Sequence, residues 1–214
     1  GFPRLDTLIQ QQQNFTQENT EPKKLVLITP SYGENKSLEV CGMDLIDLLL
    51  KSGFKVLLRP HFKILKESEE LIKTINEKFG KNPNFILENR VIPSELFQSS
   101  TCMISDWSGI SLEYAFTFER LVIFIDVPKK ILNPNSEKIS LEPIEISIRH
   151  KVGHVIQPTK IEEIPNLITS LNKNEKNSEE ISDVRSKTVY NIGKSATVGA
   201  GYIQQLNKEL SLKS

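Results

Sequence analysis

From residue 25 onward, short continuous apolar runs alternate with longer stretches whose apolar residues recur at helical spacing. The first run, Leu25-Val26-Leu27-Ile28-Thr29, has no polar alternation. It reads as a strand covered on both faces, the pattern of a parallel sheet. Pro30-Ser31-Tyr32-Gly33 breaks it. Leu38, Met43, Leu45, Ile46, Leu49 and Leu50 then share a helical face that Gly53 closes. The alternation continues. Strands are predicted over 25–29, 55–59, 84–87, 101–105, 121–126 and 153–156, and helices over 37–52, 65–79, 93–99, 108–118 and 161–171. Strands separated by helices of this length pair in parallel through right-handed crossovers. The predicted fold class is α/β, a doubly wound parallel sheet of about six strands followed by C-terminal helices.

The flanks differ from this middle. Residues 1–24, with the Gln-rich run Gln10 to Gln13, read as an N-terminal segment or linker. The domain proper is predicted over 25–171. The charged stretch 172–182 reads as a loop, and 183–214 as a helical segment interrupted near Gly193 and near Gly199 and Gly201. The chain begins at Gly1, inside what looks like a motif, and the expectation is a piece of a longer protein. Its 214 residues suffice for a core without disulfides or metals. Lys plus Arg and Asp plus Glu are both 27, so no basic excess points to nucleic acid. Cys41 and Cys102 lie in apolar patterns and read as reduced core residues. No Cys/His spacing suggests a metal site, and no apolar run approaches a membrane span.

In an open α/β sheet, ligands bind beyond the carboxyl ends of the strands. Two polar clusters fall there. In 102–115 an apolar strand stops at Ser105-Asp106, and a turn of small polar residues leads into a helix. Ser108 or Asp106 can cap that helix. Ser108, Gly109, Ile110 and Ser111 can offer N–H groups or hydroxyls to a phosphate at the positive end of its dipole, and Gly109 allows close approach. A plain N-cap remains the alternative. Glu113, one turn in, can take a ribose hydroxyl or simply complement the dipole. The second cluster is Arg59-Pro60-His61, a cation that can grip phosphate and an imidazole that can bind phosphate or act as general acid. Ser31 and Tyr32 sit on the loop after the first strand. Arg149-His150-Lys151 reads as a charged surface loop or a partner for a diphosphate, His154 as structural, and Glu142 and Glu145 as solvated. There is no P-loop, no G-x-G-x-x-G and no G-x-S-x-G.

Taken in order, several segments resemble the C-terminal half of the CDP-glycerol glycerophosphotransferase family, the teichoic-acid and capsule polymerase type. They are Gly1-Phe2-Pro3-Arg4-Leu5-Asp6, Ile28-Thr29-Pro30-Ser31-Tyr32, Arg59-Pro60-His61, Ile104-Ser105-Asp106-Trp107-Ser108-Gly109-Ile110, Glu119-Arg120-Leu121-Val122-Ile123-Phe124 and Asn191-Ile192-Gly193-Lys194-Ser195-Ala196. The resemblance implies one Rossmann-like lobe of a GT-B architecture, the lobe that holds the nucleotide donor. It implies His61 as the catalytic or phosphate-contacting histidine, Ser108, Gly109 and Ile110 as the diphosphate cradle, and Arg149 near the same group. It further implies a CDP-activated polyol such as CDP-glycerol as donor substrate, with no cofactor or metal required. The implied partners are a missing N-terminal lobe and a polymer or lipid-linked acceptor. The implied place is the cytoplasm or the inner face of the cell membrane. The donor lobe of a UDP-sugar transferase or nucleotide-sugar epimerase, and a non-catalytic α/β module, stay open as alternatives.

Overall fold

The computed structural model describes residues 1–14, 24–89, 94–129, 133, 135, 138–171 and 176–211. Six short strands, β1 (Leu25–Thr29), β2 (Lys55–Leu58), β3 (Phe85–Leu87), β4 (Cys102–Ser105), β5 (Val122–Ile125) and β6 (Gly153–Ile156), form one sheet in the order β3-β2-β1-β4-β5-β6. Every neighbouring pair is parallel. Because side chains alternate along a strand, each strand feeds two cores. Val26, Ile28, Val56, Leu58, Ile104, Ile123 and Ile125 meet α2 (Ser37–Lys51), α4 (Glu69–Phe79) and α9 (Ile164–Leu171) on one face. Leu25, Leu27, Leu57, Met103, Val122 and Phe124 meet α1 (Pro3–Gln13), α6 (Ile110–Phe118), α8 (Arg149–Val152) and α10 (Lys176–Thr188) on the other. Each fully buried side chain of this size contributes roughly 1.5–3 kcal/mol. Gly153 lets β6 approach: a Cβ there would lie 2.1 Å from the Val122 carbonyl oxygen and 2.7 Å from the Phe124 ring.

The predicted strands hold to within a residue at each end, and Cys41 and Cys102 are buried free thiols. Burial pushes their pKa up to about 11 and about 12. The differences lie outside the sheet. Residues 3–13 are not linker but helix α1. Pro3 occupies its first turn, where a missing N–H costs nothing, and Leu5 is wholly buried against α6. Residues 15–23 lie outside the described residues, as does Pro93, the predicted start of the helix that runs as α5 (Ser94–Ser99). The helix predicted over 65–79 is broken at Ser68, which leaves α3 (Ile64–Glu67) as a separate turn. The expected loop 172–182 is helical from residue 176. Ile181 of α10 is fully buried, and Arg185 donates to the Phe116 carbonyl and to Glu119 at 2.6 Å. The last helix, α11 (Ser195–Ser211), runs through Gly199 and Gly201, where both positions face open space. The basic 149–151 segment is not a surface loop: α7 (Ile144–Ser147) leads directly into α8, and Arg149 is buried. No helix among the described residues is long and apolar enough to cross a membrane.

Candidate functional site

The strand order reverses between β1 and β4, and their last residues, Thr29 and Ser105, lie side by side. This switch point is where a doubly wound sheet opens a crevice at its carboxyl edge. Asp106, the next residue after β4, organises it. Its Oδ1 accepts from the Ser31 amide at 2.8 Å and the Trp107 amide at 2.6 Å. Its Oδ2 accepts from the Ser37 amide at 3.1 Å and the Ser37 hydroxyl at 2.7 Å. Asp106 is 1% exposed. A carboxylate so buried and so fully engaged positions the two loops rather than meeting a phosphate. Ser31 is also buried, and its hydroxyl has no protein partner. The Ser105 hydroxyl donates to the Thr29 carbonyl at 2.7 Å and stitches β4 to β1.

The turn into α6 follows. The Ser111 hydroxyl donates back to the Ser108 carbonyl at 2.7 Å, and the Ser111 amide to the same oxygen at 3.1 Å. Ser111 is therefore a buried local brace. Ser108 is half-buried, and Gly109 is exposed with nothing within 4 Å of where a Cβ would stand. The amides of Gly109 and Ile110 precede the first internal bonds of the helix. First-turn amides of this kind favour an anion. Gly109 has φ −60°, so openness rather than backbone freedom is what glycine contributes here.

The second cluster adjoins the first. The Arg59 amide continues the β2 ladder onto the Ile28 carbonyl, and Pro60 is buried. His61 stacks at 4.6 Å on Tyr32 from the β1 loop and at 4.4 Å on Phe62, and its Nδ1 accepts from the Lys63 amide at 3.2 Å. Lys63 Nζ lies 4.3 Å from the centre of the Tyr32 ring. The pKa of Arg59 is lowered, first by burial and then by Arg4, against the opposing pull of Glu113 and Glu88. Glu113, in the first turn of α6, accepts from Arg4 Nε at 2.7 Å. Ser31, Tyr32, Arg59, His61, Ser108, Gly109, Ile110 and Glu113 thus gather around the ends of β1, β2 and β4.

Arg149 stands apart, at the end of β5. Its guanidinium packs 3.9 Å from the centre of the Trp107 ring, which in turn donates through Nε1 to the Val127 carbonyl at 2.8 Å. It reaches Asp126 Oδ1 at 3.4 Å and the Ile125 carbonyl at 3.3 Å. Burial lowers its pKa, while Asp126 and Asp106 pull it back up.

Two residues in the N-terminal motif were not singled out as functional. Arg4 joins the Glu113 and Arg59 cluster. Asp6 Oδ1 accepts from the Gly193 amide at 2.7 Å and its Oδ2 from the Ser195 amide at 2.9 Å, which caps α11. Burial acts to raise the Asp6 pKa, but these donors outweigh it and the net direction is down. Glycine at 193, with φ +77°, is what turns those amides toward the carboxylate. The available signal was an unexplained Gly-x-Ser before a helix in a chain whose first residues carry a lone Asp.

No family model and no curated protein sequence matches the chain. Among solved structures it is similar to a variant of the wall teichoic acid polymerase TagF, at 20% identity and TM-score 0.51, covering 97% of this chain and 48% of that one. It is similar to the UDP-GlcNAc 2-epimerase from Neisseria meningitidis bound to UDP-GlcNAc, at 18% identity and TM-score 0.55, over 94% of this chain and 49% of the other. It is similar to TarM from S. aureus in complex with fondaparinux, alpha-GlcNAc-glycerol and UDP, at 16% identity and TM-score 0.50, over 87% and 36%. The chain spans half or less of the length of each. At these identities the likeness is one of fold: an α/β, Rossmann-like lobe of the GT-B kind.

Proposed function

We propose that this chain is the donor-binding lobe of a transferase that uses a nucleotide-activated donor, and that the donor is a CDP-linked polyol. One observation carries the reading: the N-terminus of α6, after β4, and the β2 end bearing Arg59 and His61 lie on the same sheet edge, one on each side of the end of β1. Transfer from such a donor leaves a nucleotide phosphate whose charge must be held as the bond breaks. The Gly109 and Ile110 amides, at the positive end of the α6 dipole, receive that charge, and Arg59 neutralises it from the side. His61, held by Tyr32 and Phe62, contacts the same phosphates. Glu113, whose other partner is Arg4, accepts from a ribose hydroxyl. A second lobe supplies the acceptor and the group that deprotonates its hydroxyl. The product is a cell-envelope polymer of the teichoic-acid or capsule type. The likeness to a teichoic acid polymerase supports this choice among nucleotide donors.

A second reading, a UDP-sugar donor, draws on the likeness to an epimerase bound to UDP-GlcNAc. Calorimetric titration of the chain with CDP-glycerol, CDP, CMP, UDP and UDP-GlcNAc separates the two. The expected result is saturable binding of the cytidine diphosphates over the uridine ligands, weakened in His61→Ala. Preference for UDP-GlcNAc transfers the assignment to a sugar donor. A folded chain that binds no nucleotide refutes the donor reading for this lobe by itself.

A further inference from the structure

A second basic pocket lies at the end of β5, with Trp107 of the turn into α6 as one wall. A cavity of about 580 Å³ opens there between Trp107, Asp126, Lys129, Ile146, Arg149 and His150. Arg59, His61, Ser108 and Gly109 do not line it. Its floor is Arg149, which is 5% exposed. A guanidinium carries five N–H donors. Here the Asp126 and Ile125 bonds are long, at 3.4 and 3.3 Å, and Nε is buried with no hydrogen-bond partner among the described residues. Charge-assisted bonds to oxygen are ordinarily near 2.8 Å. The Trp107 face offsets part of the deficit by a cation–π contact, but it accepts no hydrogen bond. Asp126 is itself shared, since its Oδ2 accepts from Gln157 at 2.8 Å.

The charge around the cavity favours an anion. Of the charged residues that line it, Arg149 and Lys129 stand against Asp126; Lys36, whose Nζ donates to the Pro128 carbonyl at 2.6 Å, and Asp106 do not line it. Asp106 is already met by four donors. His150 adds a further donor at the rim. We propose that this pocket is a second anion site, which takes the phosphate of a phosphomonoester or phosphodiester, with the carbon skeleton of the ligand against Trp107 and Ile146. The assignment needs no nucleotide and stands apart from the donor reading.

Trp107 is the sole tryptophan, so its fluorescence reports on the wall of this site directly. The chain is titrated with inorganic phosphate and glycerol 3-phosphate against chloride at matched ionic strength. The expected result is a saturable change with the two phosphates that chloride does not produce. Lys129→Ala combined with His150→Ala, both exposed rim positions, weakens binding roughly three- to tenfold. Arg149→Lys, which loses the planar fork, weakens it about tenfold. Circular dichroism verifies the fold of each variant, and the rim variant carries the test if Arg149→Lys does not fold. No saturable change beyond chloride, or an unaltered affinity in the rim variant, overturns the proposal. Saturable binding of glycerol 3-phosphate by a folded chain to which none of the nucleotides binds keeps this site and refutes the donor reading instead.

Discussion

Replacing Asp106 by Asn tests whether the carboxylate or merely its shape holds the switch point. The side chain is 1% exposed and accepts four hydrogen bonds. An amide must place its NH2 where one oxygen stood. At the Oδ1 position that group would face two backbone donors, Ser31 and Trp107, neither of which can reverse. At the Oδ2 position it faces the Ser37 amide and the Ser37 hydroxyl, and a hydroxyl can rotate to accept. The Asn therefore adopts the second orientation, and one backbone donor, Ser37, is left buried without an acceptor. A lost bond to a charged acceptor costs about 1.5–3 kcal/mol, and weakening of the remaining bonds by loss of the charge brings the total to about 2–4 kcal/mol. Asp106→Ala strands all four donors and costs more, about 4–8 kcal/mol. Total stabilities are about 5–15 kcal/mol, so the first variant folds and the second is marginal. Urea denaturation followed by circular dichroism measures this. With an m-value of roughly 2 kcal/mol/M, Asp106→Asn lowers the midpoint by about 1–2 M. A shift under about 0.25 M, or an Asn variant less stable than the Ala variant, refutes the argument that these four bonds set the loops.

Other expectations follow from single contacts. Gly153→Ala drives a methyl to 2.1 Å from the Val122 carbonyl oxygen, and parting β5 from β6 should lower stability by about 3 kcal/mol in the same urea assay. His61→Ala removes a half-buried ring at the loop edge. It should move the thermal midpoint by only a few degrees while weakening nucleotide binding, and a normal affinity counts against its phosphate role. The folded-state pKa of Asp6 is depressed, so its cap on α11 is fully present above the unfolded value of 3.8 and is lost as pH falls through the lower folded one. Amide protection factors at Gly193 and Ser195, which correct for intrinsic exchange, should fall selectively below about pH 4 and stay constant over that range in Asp6→Asn. Cys102, with its pKa pushed up to about 12, should resist alkylation at pH 8 until the chain is unfolded.

The sheet was legible in the sequence because a strand buried on both faces must be apolar throughout. A run such as Val122-Ile123-Phe124-Ile125 admits few other homes. The polar residues that end those strands were legible too, since a parallel sheet sends every strand end to the same edge. What they do there was not. Asp106 and Ser111 carry the residue types of a phosphate cradle, yet both turn inward to backbone groups. Their roles depend on how the β1 loop lies beside the β4 loop. Arg149 reads as surface charge in a basic triplet, and only packing against Trp107 and Asp126 buries it.

By itself, then, the sequence determined the α/β class, the parallel pairing and the sheet edge at which the polar strand ends gather, because local hydrophobic periodicity dictates which residues must be covered. The tertiary structure alone decided the strand order β3-β2-β1-β4-β5-β6, and with it the position of the switch point, because nothing local says on which side of β1 the fourth strand returns. It alone decided that residues 3–13 are helix. Leu5, Leu8 and Ile9 have helical spacing, but it spans little more than one turn before the Gln-rich run. The helix persists because Leu5 is buried on α6 and Asp6 binds amides nearly the whole chain away.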